Sequence, residues 1–205
     1  MVLRRFFAAR PEFFLTGGGA LVGFHLRHRQ THDLGLFTTE SALDDGEQTL
    51  GEIAAELALE LKPMRRSPDF RRFLLSGAVE SVVVDLVRDA APQLFEKLVI
   101  EGIVVDPPEE ILANKLCTLL SRMEPRDLVD VARLEEAGFD PIPALDLARQ
   151  KDLGMSASQL AWVLSTFPIP SDESLLHGMT YAELVSYRDL LVQRLTAAAF
   201  PGPLR

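Results

Sequence analysis

Gly17-Gly18-Gly19 ends the apolar run Phe13-Phe14-Leu15, and Asp33 opens the alternating stretch Asp33-Leu34-Gly35-Leu36-Phe37. Backbone N–H groups of a glycine turn cradle phosphate when aimed together, and strand carboxylates hold divalent cations such as Mg²⁺. That combination suits nucleotidyl transfer. The protein then has to hold a triphosphate, bind metal and align an attacking hydroxyl. Two acids at positions i and i+2 of a strand share one face, but the residue two after Asp33 is Gly35. Asp85, in Val82-Val83-Val84-Asp85-Leu86-Val87, is the candidate for a carboxylate from a neighbouring strand. An ionised acid among valines requires a cation, a hydrogen-bond network or exposure at the strand end. The plainer alternatives are an ordinary glycine turn and a surface acid at Asp33.

A second group of residues lies further along. Lys115 and Arg122 share a helix face, Pro125 breaks that helix, and Arg126, Asp127 and Asp130 follow. One reading is a helix corner stapled by ion pairs. The other gives Lys115 a phosphate contact, with Asp127 or Asp130 orienting it. His25, His28, His32 and His177 lack metal-ligand spacing, and Cys117 sits among leucines as a small hydrophobe.

The elements that must position these groups follow from periodicity. Residues 13–16 read as a short buried strand, 20–27 as a helix and 32–38 as a strand with Asp33, Gly35 and Phe37 on one face. Ile53, Leu57 and Leu61 predict a helix over 48–61. Segments 70–75 and 79–87 predict a β-hairpin, and 99–105 a further strand. Pro107-Pro108 opens a helix to about Arg122, and helices are expected over 125–137, 142–151, 157–167 and 181–199. The expected fold class is α+β: a mixed-sheet core over 1–106, with a C-terminal helical region over 107–205 packed on it.

Composition narrows the function classes. The 205 residues are 47% hydrophobic and 25% charged, which is ordinary for a globular chain. No apolar run approaches the roughly 20 residues that span a bilayer, so no membrane role is expected. With Cys117 as the only cysteine, no internal disulfide forms, and a cytoplasmic setting is expected. The net charge of -9 opposes non-specific nucleic-acid binding. Arg65, Arg66, Arg71 and Arg72 nevertheless bracket Ser67-Pro68-Asp69, and Arg27, His28 and Arg29 lie before Asp33. A solvated hairpin surface is the plainer reading of the first cluster.

Taken in order, these residues resemble the AbiEii/AbiGii toxin family of nucleotidyltransferases. The resemblance rests on Gly17-Gly18-Gly19-Ala20-Leu21 and on His28-Arg29-Gln30-Thr31-His32-Asp33-Leu34-Gly35-Leu36-Phe37. Val84-Asp85-Leu86, Lys115-Leu116-Cys117-Thr118-Leu119, Arg122 and Arg126-Asp127-Leu128-Val129-Asp130 complete it. It implies a nucleotidyltransferase-like core and metal-dependent transfer of a nucleotide to an acceptor, RNA in some members, with a cognate antitoxin protein. Carried onto this sequence, it makes Asp33, Asp85, Lys115 and Asp127 catalytic, with Asp33 and Asp85 on Mg²⁺. Gly17, Gly18, Gly19, Arg29, Thr31, Lys115, Arg122 and Arg126 would bind the nucleoside triphosphate. Two departures weaken the match: Gly19 stands where the family has Thr, and Gly35 where it has the second Asp. Weakened transfer is therefore expected, or a non-catalytic relative that binds a nucleotide or a partner in the same cleft.

Overall fold

The computed structural model describes residues 1–29, 31, 33–172 and 178–200. They form two compact units. The first comprises Met1–His25, Gln30–Ala90 and Glu96–Pro107; the second comprises Leu26–Arg29, Ala91–Phe95 and Pro108–Arg205.

The first unit is a mixed sheet of seven strands: β1 (Phe14–Thr16), β2 (Asp33–Thr38), β3 (Glu60–Ser67), β4 (Phe70–Ser76), β5 (Ser81–Arg88), β6 (Leu98–Ile100) and β7 (Ile103–Val105). Their order is β3-β4-β5-β2-β1-β7-β6, with β2/β5 and β1/β7 parallel and the other pairs antiparallel. Leu15, Leu36, Phe73, Leu75, Val84 and Leu86 are buried on one face. Helices α1 (Val2–Ala9) and α3 (Leu43–Glu56) contribute Phe6, Phe7, Leu50 and Ile53 to the same core. Gly46 permits the close approach of α3, since a Cβ there would lie 2.8 Å from the Phe13 ring and 3.2 Å from Leu86. Asp44 and Asp45 favour the α3 start by facing its positive end.

Three expectations from sequence are corrected here. The helix predicted over 48–61 is α3, and it ends at Glu56. Ala58 turns left-handed at φ 52, and Glu60–Ser67 pairs with β4 as an edge strand. Helical spacing of Leu57 and Leu61 lost to hairpin pairing, and Pro63 is tolerated at a bulge on that edge. The strand predicted over 99–105 is two strands, β6 and β7, joined at Glu101 and Gly102, both with positive φ. The helix predicted from Ala20 begins within the glycines: α2 (Gly17–Ala20) runs into a π turn over Leu21–His25. The expected 70–75/79–87 hairpin forms as β4 and β5.

The second unit contains α4 (Pro108–Ser121), α5 (Pro125–Glu136), α6 (Pro141–Lys151), α7 (Ala157–Ser165) and α8 (Tyr181–Ala199). Pro125 and Pro141 stand in the first turns of their helices, where the missing N–H costs no bond. Asp140 and Ser156 cap α6 and α7, and Thr180 with Glu183 forms a capping box on α8. Leu116, Leu119, Leu128, Leu134, Leu160, Leu164, Leu191 and Leu195 are buried. Glu110 accepts from the Leu94 and Phe95 amides at 2.9 Å each, tying the 91–95 segment to α4. Among the described residues, no helix is long and apolar enough to cross a membrane.

Candidate active site

On the sheet, Gly35 partners Thr16 on β1 and Asp85 on β5, and Asp85 partners Arg72 on β4. Register partners point to the same side, so Thr16, Gly35, Asp85 and Arg72 form one row across four strands. Asp33 is two residues from Gly35 and shares this face, opposite the one covered by α1 and α3. Asp33 and Asp85 thus stand on adjacent strands of one face. The glycine segment lies beside them: a Cβ on Gly19 would sit 3.5 Å from the Asp33 backbone oxygen and 3.4 Å from Leu15. Thr31 Oγ1 accepts from the Asp33 amide at 3.4 Å, holding the entry to β2.

Asp85 has a partner that sequence reasoning did not assign. Arg72 donates from Nε to Oδ1 and from Nη2 to Oδ2, both at 2.7 Å, and its pKa is raised, chiefly by this hydrogen bond. The Asp33 charge adds to that shift. The valine-rich strand thus tolerates its acid because a guanidinium meets it side-on. The reading of the arginines as a solvated hairpin surface fails for two of them. Arg71, on the opposite face, is buried and pairs with Asp44 at 2.9 Å and Glu47 at 3.4 Å. Arg66 fits it better, since it is largely exposed on Asp44. Arg65 and Arg72 place their guanidinium carbons 5.7 and 5.6 Å from the Phe70 ring centroid, within cation–π range.

These residues do not fit a resident two-ion magnesium site. Gly35 offers no ligand, and both Asp85 oxygens are engaged by Arg72. No group of three or more His, Cys, Asp or Glu among the described residues is arranged to hold a metal. The place a side chain at 35 would occupy is also crowded, since its Cβ would meet the Phe37 ring at 3.0 Å.

In the helical unit, the second group of residues forms a buried charge cluster. Lys115 bonds Asp127 Oδ1 at 2.7 Å and Asp130 Oδ2 at 2.6 Å, with its side chain only 6% exposed. Arg29 grips Asp130 with Nε at 2.9 Å and Nη2 at 3.0 Å, and His28 Nε2 lies 2.8 Å from the same carboxylate. Arg122 grips Asp127 at 2.8 and 3.0 Å. Burial alone would raise both carboxyl pKa values. For Asp127 the Arg122 hydrogen bond and the Lys115 charge outweigh it; for Asp130 the His28 bond, Lys115 and Arg29 do so and push it far below the usual range. The corner is therefore stapled by ion pairs, and Lys115 and Arg29 are enclosed rather than presented. Arg122 is 44% exposed, and Arg126 reaches Glu124 at 2.5 Å. Cys117 is half-buried, its thiol pushed up to about 11 mainly by burial.

Two residues of the sheet row escaped the sequence reading. Arg72 was detectable: counting four residues outward along each strand from the Ser76–Ser81 pair brings it opposite Asp85. Thr16 gave no sequence signal. Its side chain is buried and Oγ1 has no hydrogen-bond partner among the described residues.

A family model described as the nucleotidyl transferase AbiEii toxin of a type IV toxin–antitoxin system matches residues 2–173. Among solved structures, JHP933 from Helicobacter pylori aligns with a TM-score of 0.64 at 20% identity, over 95% of this chain and 87% of that one. A putative nucleotidyltransferase from H. pylori gives 0.61 at 19% identity, over 95% and 89%. MenT4, a nucleotidyltransferase toxin from Mycobacterium tuberculosis, gives 0.58 at 13% identity, over 98% and 81%. At these identities the structural likeness speaks for the fold. A search of the curated proteins gives no match.

Proposed function

The chain belongs to the AbiEii family of nucleotidyltransferase toxins, and from that premise we propose that it binds a nucleoside triphosphate on the Asp33–Asp85 face and transfers nucleotide slowly. The observation that carries this reading is the shared face of Asp33 and Asp85 on adjacent parallel strands, with Gly17–Gly19 directly beside β2. In this role the backbone N–H groups of Gly17, Gly18 and Gly19 hold phosphate, Thr31 fixes the Asp33 backbone, and Asp33 orients the attacking hydroxyl. Lys115 and Arg29 act by fixing Asp127 and Asp130. Transfer is weak because Gly35 supplies no carboxylate and Asp85 is committed to Arg72. The acceptor is RNA, and a cognate antitoxin protein restrains the activity.

The Arg72–Asp85 pair supports a second reading, a non-catalytic nucleotide-binding relative. Incubating the purified protein with each α-labelled nucleoside triphosphate and total RNA separates the two. Slow labelling of RNA that Asp33→Asn abolishes supports transfer. Nucleotide binding without labelling, at any of the four nucleotides, supports the second reading.

A further inference from the structure

The row Thr16, Gly35, Asp85, Arg72 has the wrong chemistry for cations and the right chemistry for an oxyanion. Its central position carries no side chain, and one carboxylate is neutralised in place. At one end Thr16, only 6% exposed, has a buried hydroxyl with no hydrogen-bond partner among the described residues. Leaving such a group unsatisfied is costly, so a donor–acceptor kept there points to a ligand. At the other end the Arg72 side chain is 41% exposed. Its bonds to Asp85 use Nε and Nη2, and Nη1 has no part in them. Arg65 is the register partner of Arg72 on β3, extending the positive end of the row.

We propose that this row receives the phosphate chain of the nucleotide without a divalent cation, Thr16 Oγ1 donating a hydrogen bond to it at one end and the Arg72 guanidinium supplying positive charge at the other. The inference rests on the nucleotide-binding reading above and deepens it. A guanidinium is planar, permanently charged and suited to phosphate oxygens, and Asp85 holds it in one orientation. Thr16 supplies the hydroxyl that Gly19 lacks, from the residue just before the glycine segment. The Phe37 ring stands 3.0 Å from where a Cβ on Gly35 would lie, so it has to turn aside for the phosphates to reach the middle of the row.

Calorimetry on the full chain tests this with inorganic triphosphate and with ATP, GTP, CTP and UTP, each in excess Mg²⁺ and in EDTA. The expected result is binding in EDTA within about threefold of that in Mg²⁺. Arg72→Met should weaken binding in EDTA by roughly tenfold or more, the scale of a charge-assisted hydrogen bond, and Thr16→Val by about threefold to tenfold. Thr16→Val also guards against misfolding: it removes an unsatisfied hydroxyl from a strand, so its melting temperature should equal or exceed wild type. Nucleotide binding that vanishes in EDTA, or full affinity in Thr16→Val, overturns the inference and leaves the nucleotide-binding reading standing. Absence of binding in both buffers overturns both.

Discussion

Arg72 meets Asp85 side-on across β4 and β5, each carboxylate oxygen 2.7 Å from a different guanidinium nitrogen. This pairing occupies the acid that would otherwise be offered to a metal ion, next to a strand position where the family's second aspartate is Gly35. Both differences act on the same row, so restoring one alone leaves the site incomplete.

Gly35→Asp by itself should therefore change Mn²⁺ binding little, because Asp85 stays with Arg72. The introduced side chain must also displace the Phe37 ring, which a Cβ at 35 meets at 3.0 Å. The double variant Gly35→Asp/Arg72→Met should bind Mn²⁺ at least roughly tenfold more tightly, since a site of two or more carboxylates is then available. Electron paramagnetic resonance of free Mn²⁺ measures this. Equal affinity in a folded double variant would show that Asp33 and Asp85 are not placed to share an ion.

Lys115 stands between two fully buried carboxylates, so its removal should read out as stability before it reads out as binding. Lys115→Ala should destabilise the helical unit by about 1.5–3 kcal/mol, the scale of a lost charge-assisted hydrogen bond, since Asp127 keeps Arg122 and Asp130 keeps Arg29 and His28. Urea unfolding followed by circular dichroism gives the value. A loss below about 1 kcal/mol would place Lys115 among ordinary surface ion pairs.

The same cluster sets an acid limit. Asp127 and Asp130 both have pKa values lowered from 3.8 in the folded chain. Below that value the unfolded chain binds protons that the folded cluster refuses, so this contribution is fully present above about pH 4 and is lost as pH falls through the folded values. Urea midpoints should be flat from pH 7 to 5 and then drop. In Lys115→Met the drop should be smaller and level off at a higher pH, because both acids lose a cation and their folded values move back toward 3.8. A profile of Lys115→Met parallel to wild type would remove Lys115 as a cause of the lowered values.

Much of this was legible in the chain. The alternation around Asp33 placed it and Gly35 on one face, and Ser76-Gly77 marked the β4–β5 hairpin because strand period and turn chemistry are local properties. Lys115, Arg122, Asp127 and Asp130 were seen as one group because helical spacing brings them together. What failed depended on pairing at a distance. Leu57 and Leu61 carried a helical rhythm, but β4 recruited Glu60–Ser67 as an edge strand. Arg72 looked like one member of a charged block until register put it opposite Asp85. The enclosure of Lys115 and Arg29 depended on packing, which spacing does not encode. The orphaned Thr16 hydroxyl depended on packing in the same way.

The central claim is that the nucleotide sits on the sheet face beside the glycine segment. Amide ¹H–¹⁵N spectra of the labelled protein, titrated with inorganic triphosphate and then with the tightest-binding nucleotide, test it most directly. The account predicts saturable shifts of the Gly18, Gly19 and Gly35 amides and of the Arg72 Nε–H signal, all with one dissociation constant. Saturable binding that leaves those four signals unmoved would contradict it.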